Sequence, residues 1–207
     1  MSCEQLRQML IAVADKVIES KPLLTEVDSK IGDGDHGIGM ERGLHKAKEK
    51  LIAMPECADV YELLREMGKT MMMEMGGASG VIFATMFMGG ASGKHASASL
   101  TPAQFADVFA GGLDKIKQRG KAEVGDKTMV DALQPAVEAM QGYAGEGFED
   151  MLALTSQAAA DGMERTKGYQ ARFGRAKSLM ERAIGFPDAG AVSVTIIFQS
   201  MNDYLRG

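Results

Sequence analysis

One stretch near the carboxy terminus decides the fold class. Val192-Ser-Val-Thr-Ile-Ile-Phe198 is dense in β-branched residues and by side-chain preference suits a buried strand. A strand needs a partner, because its backbone N–H and C=O groups cannot stay unpaired in a core. No partner strand occurs elsewhere in the chain, so residues 189–204 are expected to form a helix and the protein to be all-α. With no linker, internal repeat or low-complexity tract, residues 1–207 read as a single domain, a bundle of about eight helices. Short loops favour antiparallel neighbours.

The rest of the chain supplies those helices in turn. Residues 2 to about 20 form the first, opened by a Ser2/Gln5 capping box and carrying Leu6, Leu10, Val13 and Val17 on one face. Lys21-Pro22 is expected to end it and lead into an acidic turn. A second helix begins within or just after that turn and runs to about Met54, with Pro55 as its stop. Asp59 and Glu62 open a third, which directs Leu63, Leu64, Met67 and Met71 to a core. Residues 76–80 (GGASG) break it, and the all-apolar residues 81–88 read as a buried central helix. Residues 89–99 are a loop. Thr101-Pro102-Ala-Gln104 caps a helix ending near Gly120. Next come a helix with Met129, Leu133 and Val137, in which Pro135 marks a kink or the early turns, and one over 148 to about 167. A basic loop with Arg172, Arg175 and Lys177 leads to the last helix.

Composition excludes several functions. The net charge is −5 with dispersed basic residues, where a nucleic-acid binder shows a basic stripe. No apolar run is long enough to cross a bilayer, and the amino terminus lacks the basic-then-apolar pattern of a signal peptide. Cys3 and Cys57 are too few for a disulfide framework or a thiolate metal site. A soluble cytoplasmic protein is the expectation. The 17 methionines, in a chain with no Trp, read as flexible filler between helices.

Function is concentrated in Asp28-Ser-Lys-Ile-Gly-Asp33-Gly-Asp35-His36-Gly37-Ile-Gly-Met40, with Glu26 just ahead. Crowded carboxylates repel one another unless a cation neutralises them, and hard cations such as Mg²⁺ prefer carboxylate oxygens. Gly32, Gly34 and Gly37 match the dinucleotide-binding string GxGxxG, but no apolar strand precedes them. An EF-hand counted from Asp33 puts Leu44 where a bidentate Glu is required. Gly93-Lys94 lacks both the first glycine and the Ser or Thr of a P-loop, and Ser79 lacks the second glycine of a nucleophile elbow.

What remains is a metal turn together with anion-binding elements. Gly76 to Gly80 places glycines and Ser79 at a helix start, where free N–H groups and the helix dipole attract anions. Gly125-Asp126-Lys127-Thr128 and Gly174-Arg175 add polar loops with cationic side chains. Together they describe a polyphosphate held through metal. Plainer readings stand beside these: Asp33 and Asp35 as turn residues, residues 76–80 as close helix packing, His36 as a packing histidine, and Asp126 and Asp188 as N-caps.

The segments IGDGDHG, GGASG, RGKAEVGDKTM and ERAIG occur in the order and spacing of the DhaL family, the nucleotide-binding subunits of dihydroxyacetone kinases, and the chain resembles that family along nearly its whole length. The resemblance implies an antiparallel barrel of eight helices with the nucleotide at one end. It implies that Asp28, Asp33 and Asp35 ligate two Mg²⁺ ions bridging the phosphates of ADP or ATP. By the same resemblance, His36, Gly37, Ile38, Gly39, Ala78, Ser79, Gly120, Met129, Arg175, Asp188, Ala189 and Gly190 surround the nucleotide, with Lys127 and Thr128 beside them. No catalytic group beyond this metal and nucleotide site is implied. The family commonly has Asn where this chain has Gly39, a DPG turn where it has Asp188-Ala189-Gly190, and a tyrosine within the stretch that here reads Ala176-Lys-Ser-Leu-Met180.

The activity implied is a kinase subunit's: phosphoryl transfer to a hydroxyl of dihydroxyacetone or a related ketose such as erythrulose. A separate DhaK-type subunit would hold the ketose. Either a DhaM-type phosphohistidine partner of the phosphotransferase system rephosphorylates bound ADP, or free ATP exchanges. A homodimer is compatible with the chain. The rival readings are a nucleotide-state sensor that docks a regulator, using the same acidic turn, and the kinase domain of fatty-acid kinases, whose turn typically reads PDGDTGTNM.

Overall fold

The computed structural model describes residues 1–54 and 56–207; the expected helix stop at Pro55 lies outside the described residues. Among these residues the regular elements are nine α-helices and two 3-10 segments, with no strand. They are α1 (Cys3–Glu19), α2 (Lys21–Ile31), α3 (His36–Ala53), α4 (Val60–Met75), α5 (Gly77–Met88), α6 (Pro102–Gly120), α7 (Val130–Gly142), α8 (Phe148–Arg165) and α9 (Ala189–Arg206). The β-branched stretch at 192–198 is helical within α9, and Val194, Ile197 and Phe198 are fully buried. Packing against α1, α7 and α8 overrides strand propensity there.

Local signals set most boundaries. Both expected capping boxes form, Ser2 with Gln5 and Thr101 with Gln104. Asp59 caps α4 by accepting the Tyr61 N–H at 3.0 Å. Three expectations need correction. Lys21-Pro22 does not lead straight into the acidic turn but starts α2, because a proline in a first helical turn forfeits no hydrogen bond. The central helix begins at Gly77 rather than at residue 81. Part of the basic loop is a 3-10 segment, Arg175–Ala183. Pro135 lies inside α7.

Cross-links show that neighbours run antiparallel. From the start of α1 to the start of α2, Arg7 donates to Met54 O at 3.1 Å, Lys48 pairs with Asp15 and Lys21 pairs with Glu41 at 2.7 Å. Between α3 and α4, Arg42 donates to Met75 O at 2.8 Å and Lys50 faces Glu66 at 4.0 Å. One continuous core fills the bundle, including Phe83, Phe87, Phe105, Phe109 and Phe198 and many of the methionines. Phe109 sits among three aromatic neighbours, with ring centroids 4.9–6.3 Å apart. Cys3 and Cys57 are joined in a disulfide with their Cα atoms 5.6 Å apart, so the two cysteines form one staple. No helix among the described residues is long and apolar enough to cross a membrane.

Candidate functional site

At one end of the bundle lies a cleft of about 710 Å³. The first residues of α3, α5, α7 and α9 (His36, Gly77, Val130 and Ala189) all line it. Four helix N-termini therefore direct their positive dipole ends into one space. The caps of α3, α5 and α7 (Asp35, Gly76 and Met129) contribute no side-chain capping bond. Gly76 has no side chain and sits at φ +69°, so the first turn of α5 presents N–H groups without a cap. Such ends suit an anion.

The acidic turn forms the cleft's opposite feature. Asp28 comes from the last turn of α2, Asp33 and Asp35 from the link to α3, and ligand oxygens of all three lie within 4.8 Å of one another. Oxygen-only donors at that spacing fit a hard divalent cation. Two glycines make the approach possible. A Cβ on Gly32 would stand 2.2 Å from Asp28 Oδ1, and one on Gly37 would stand 2.4 Å from Thr25 Oγ1 and 2.6 Å from Lys21 O. Gly37 therefore sets the close crossing of α2 and α3 and does not line the cleft. The His36 N–H donates to Asp28 Oδ2 at 3.3 Å. The His36 ring is buried, shares a 2.8 Å hydrogen bond with Ser193 on α9 and lies 5.8 Å from Phe83. Burial pulls its pKa down against the opposing pull of Asp28 and Asp35.

The other side is built from the loops before α7 and α9. Asp131, on α7, accepts the N–H groups of Gly125 and Thr128, each at 2.6 Å, and burial raises its pKa. Asp126 is not a helix cap: it accepts the Glu123 N–H at 2.8 Å and faces Arg172 at 3.3 Å, closing the loop instead. Asp188 does cap α9, through the Ala191 N–H at 2.8 Å. Its carboxyl is pushed up to about 7, first by burial and then by Asp131; the Ala191 N–H and Lys127 pull the other way. Gly190 lies against Met129, where a Cβ would stand 3.2 Å from that residue's own.

The structure brings every expected site residue except Gly37 to this one cleft: Asp28, Asp33, Asp35, His36, Ile38, Gly39, Ala78, Ser79, Gly120, Lys127, Thr128, Met129, Arg175, Asp188, Ala189 and Gly190. Two of the cations behave unlike surface charges reaching for phosphate. Arg175 pairs with Asp33 at 2.8 Å, while Lys127 is 1% exposed with its ammonium bonded to two backbone carbonyls. Beside Gly39 the space is open: the nearest atom to an added Cβ is Met75 O at 3.9 Å.

Sequence reasoning missed Arg42 and an apolar patch of Ile31, Ile82, Phe83, Ile116 and Phe173. Arg42 stands one turn beyond Ile38 on α3, a spacing that could have flagged it. Phe173 comes from a loop, and nothing local marks it.

Comparison with known proteins fits this geometry. Residues 30–203 match the DAK2 domain family. The chain is 38% identical over 203 residues to the PEP-dependent dihydroxyacetone kinase ADP-binding subunit DhaL of Escherichia coli, covering 97% of this chain and 96% of that one. It is 37% identical to the ADP-binding subunit DhaL of PEP-dependent dihydroxyacetone kinase 1 of Listeria innocua, covering 90% of this chain and 89% of that one. Among solved structures, the dihydroxyacetone kinase from C. freundii in complex with AMP-PNP and Mg²⁺ superposes with a TM-score of 0.76 at 24% identity. That match covers 98% of this chain but only 34% of the longer one, and speaks to the fold. The chain belongs to the DAK2 domain family.

Proposed function

We propose that the protein is the Mg-nucleotide-binding, phosphoryl-transferring subunit of a kinase for dihydroxyacetone or a related small ketose. One observation carries the reading: a three-carboxylate cluster and four helix N-termini share a single cleft. Carboxylates alone would repel a polyphosphate, and helix ends alone would take any anion. The combination suits a phosphate chain delivered with divalent metal. The names of the relatives that match nearly end to end, ADP-binding subunits of dihydroxyacetone kinases, support the nucleotide and the reaction class.

Asp28, Asp33 and Asp35 would hold Mg²⁺, in one or two ions, which neutralises charge on the transferring phosphoryl group. The chain's own residues supply the rest. The α5 N-terminus at Ala78 and Ser79 offers N–H donors to phosphate oxygens. Arg175, paired with Asp33 and 68% exposed in its side chain, is a cation at the cleft lining that could exchange Asp33 for a phosphate oxygen. Ile82, Ile116 and Phe173 form the apolar part of the lining, suited to a nucleobase. The relatives' names call them subunits, and a DhaK-type subunit would present the acceptor hydroxyl. The two relatives matched over 96% and 89% of their own length carry PEP-dependent names, which favours a resident ADP recharged by a DhaM-type phosphohistidine partner over exchanging ATP.

Calorimetric titration with ADP, with and without Mg²⁺, tests the site: binding is expected only with the metal, and its absence there overturns the proposal. Assay with a ketose-binding subunit and ATP alone then tests the donor. Repeated turnover excludes the resident-ADP reading.

A further inference from the structure

Lys127 sits where a lysine is expensive to keep. Its φ of +60° lies in the left-handed region, which is strained for a non-glycine residue. Its side chain is 1% exposed, and a buried ammonium is unfavourable unless its N–H groups find oxygens. Two of them do, at 2.6 Å to Thr166 O after α8 and at 2.5 Å to Phe186 O before α9. Thr166, itself fully buried, accepts the Asp188 N–H at 3.0 Å through its hydroxyl. Asp131 fastens the peptide N–H groups of Gly125 and Thr128 on either side of Lys127. The segments after α6, after α8 and before α9 therefore converge on one ammonium. Residues 128–130 and 188–190, which flank this knot, line the cleft.

We infer that Lys127 is a positioning residue: a buried brace that holds the wall made by the α7 and α9 N-termini in place for the nucleotide. The inference rests on the nucleotide reading above. Strain and burial at a single residue mark a conformation imposed by its surroundings, and here the surroundings are one wall of a binding cleft. The acidic turn does not depend on this brace, since its carboxylates are carried by α2 and the entry to α3. The two sides of the cleft are therefore separable by experiment.

Lys127→Met keeps the length of the stem and removes the ammonium. Mg·ADP affinity, read by calorimetry, is expected to fall about 10- to 100-fold, as when a group that orients a binding residue is removed. Binding of Mn²⁺ alone, read by water-proton relaxation, is expected to stay within about twofold, as for a distant site. Thr166→Val removes the hydroxyl that accepts the Asp188 N–H and donates to Met163 O, leaves the Thr166 carbonyl on Lys127, and should show the same selective loss at about fivefold. A folded Lys127→Met that binds Mg·ADP like the unaltered chain, or loses Mn²⁺ and nucleotide in parallel, overturns the brace. Should that variant not fold, Thr166→Val decides: selective nucleotide loss supports the brace and unchanged affinity overturns it. An unaltered chain that binds Mn²⁺ but no Mg·ADP overturns the nucleotide reading itself, and the brace with it.

Discussion

The two ends of the bundle answer the same local problem in opposite ways. Far from the cleft, polar groups satisfy one another. The Met1 amine donates to Leu100 O at 2.8 Å, the Cys3 N–H to Ala98 O at 2.9 Å and the Val60 N–H to Ser97 O at 2.8 Å. Asp59 accepts from Tyr61, Ser97 and Arg65, and the Cys3–Cys57 bond ties α1 to the segment before α4. At the cleft end, α3, α5 and α7 begin without side-chain caps, and three carboxylates crowd together. Chain connectivity does not require this asymmetry, because antiparallel helices present ends at both poles. One pole is closed on itself; at the other, Asp28 takes the His36 N–H and Thr128 Oγ1 the Val130 N–H, but the first turn of α5 stays uncapped beside three crowded carboxylates.

The comparison breaks most sharply at the acidic turn. Asp33→Asn with Asp35→Asn should weaken Mg-dependent ADP binding by at least ~100-fold, close to 3 kcal/mol, by calorimetry. The same variant should melt no lower than the unaltered protein, because it relieves repulsion and gives up only an exposed pair with Arg175. The closed pole should respond the other way. Asp59→Ala leaves Tyr61 N, Ser97 N and Arg65 Nη2 without their acceptor and should cost about 2–3 kcal/mol in urea unfolding. Its Mg·ADP affinity should stay within about twofold.

A smaller effect sharpens the contrast within the cleft. Asp188 holds its proton up to about pH 7 in the folded chain, against 3.8 for a free aspartate. The folded state therefore binds the extra proton, and the stability it confers is complete below about pH 4 and is lost as pH rises through 7. Asp188→Asn cannot ionise but keeps an acceptor for the Ala191 N–H. It should match the unaltered protein below pH 4 and melt higher above pH 8, the gap opening above pH 4 and levelling off above 7. Equal melting curves at both pH values would count against a protonated Asp188.

What could be read from the residues was what local chemistry dictates. Ser2, Asp59 and Thr101 announced their helix starts because a cap lies within three residues of its partner. The acidic turn announced itself because close carboxylates have no packing rationale. Illegible were the features made by convergence. Lys127 read as the cationic side chain of a polar loop because nothing near it in sequence foretells Thr166 O or Phe186 O. The Cys3–Cys57 bond joins residues 54 apart, and Phe173 reaches the cleft only because of how its loop lies. The start of α2 was missed for another reason: a proline after a helix reads as a stop until the next helix is seen to begin there.

The glycines of the acidic turn spell a dinucleotide-binding string, yet each answers to a different neighbour. Gly32 yields to the Asp28 carboxylate, Gly34 takes a φ of +77°, and Gly37 lets two helices touch. A spacing of letters that elsewhere admits a pyrophosphate is here the coincidence of three local demands: room for one carboxylate, a left-handed turn and a helix crossing. Alanine at position 32 would thus strike at the Asp28 carboxylate, and alanine at position 37 at the crossing of α2 and α3. The two sites share spelling without shared ancestry of purpose, and only the atoms each glycine avoids tell them apart.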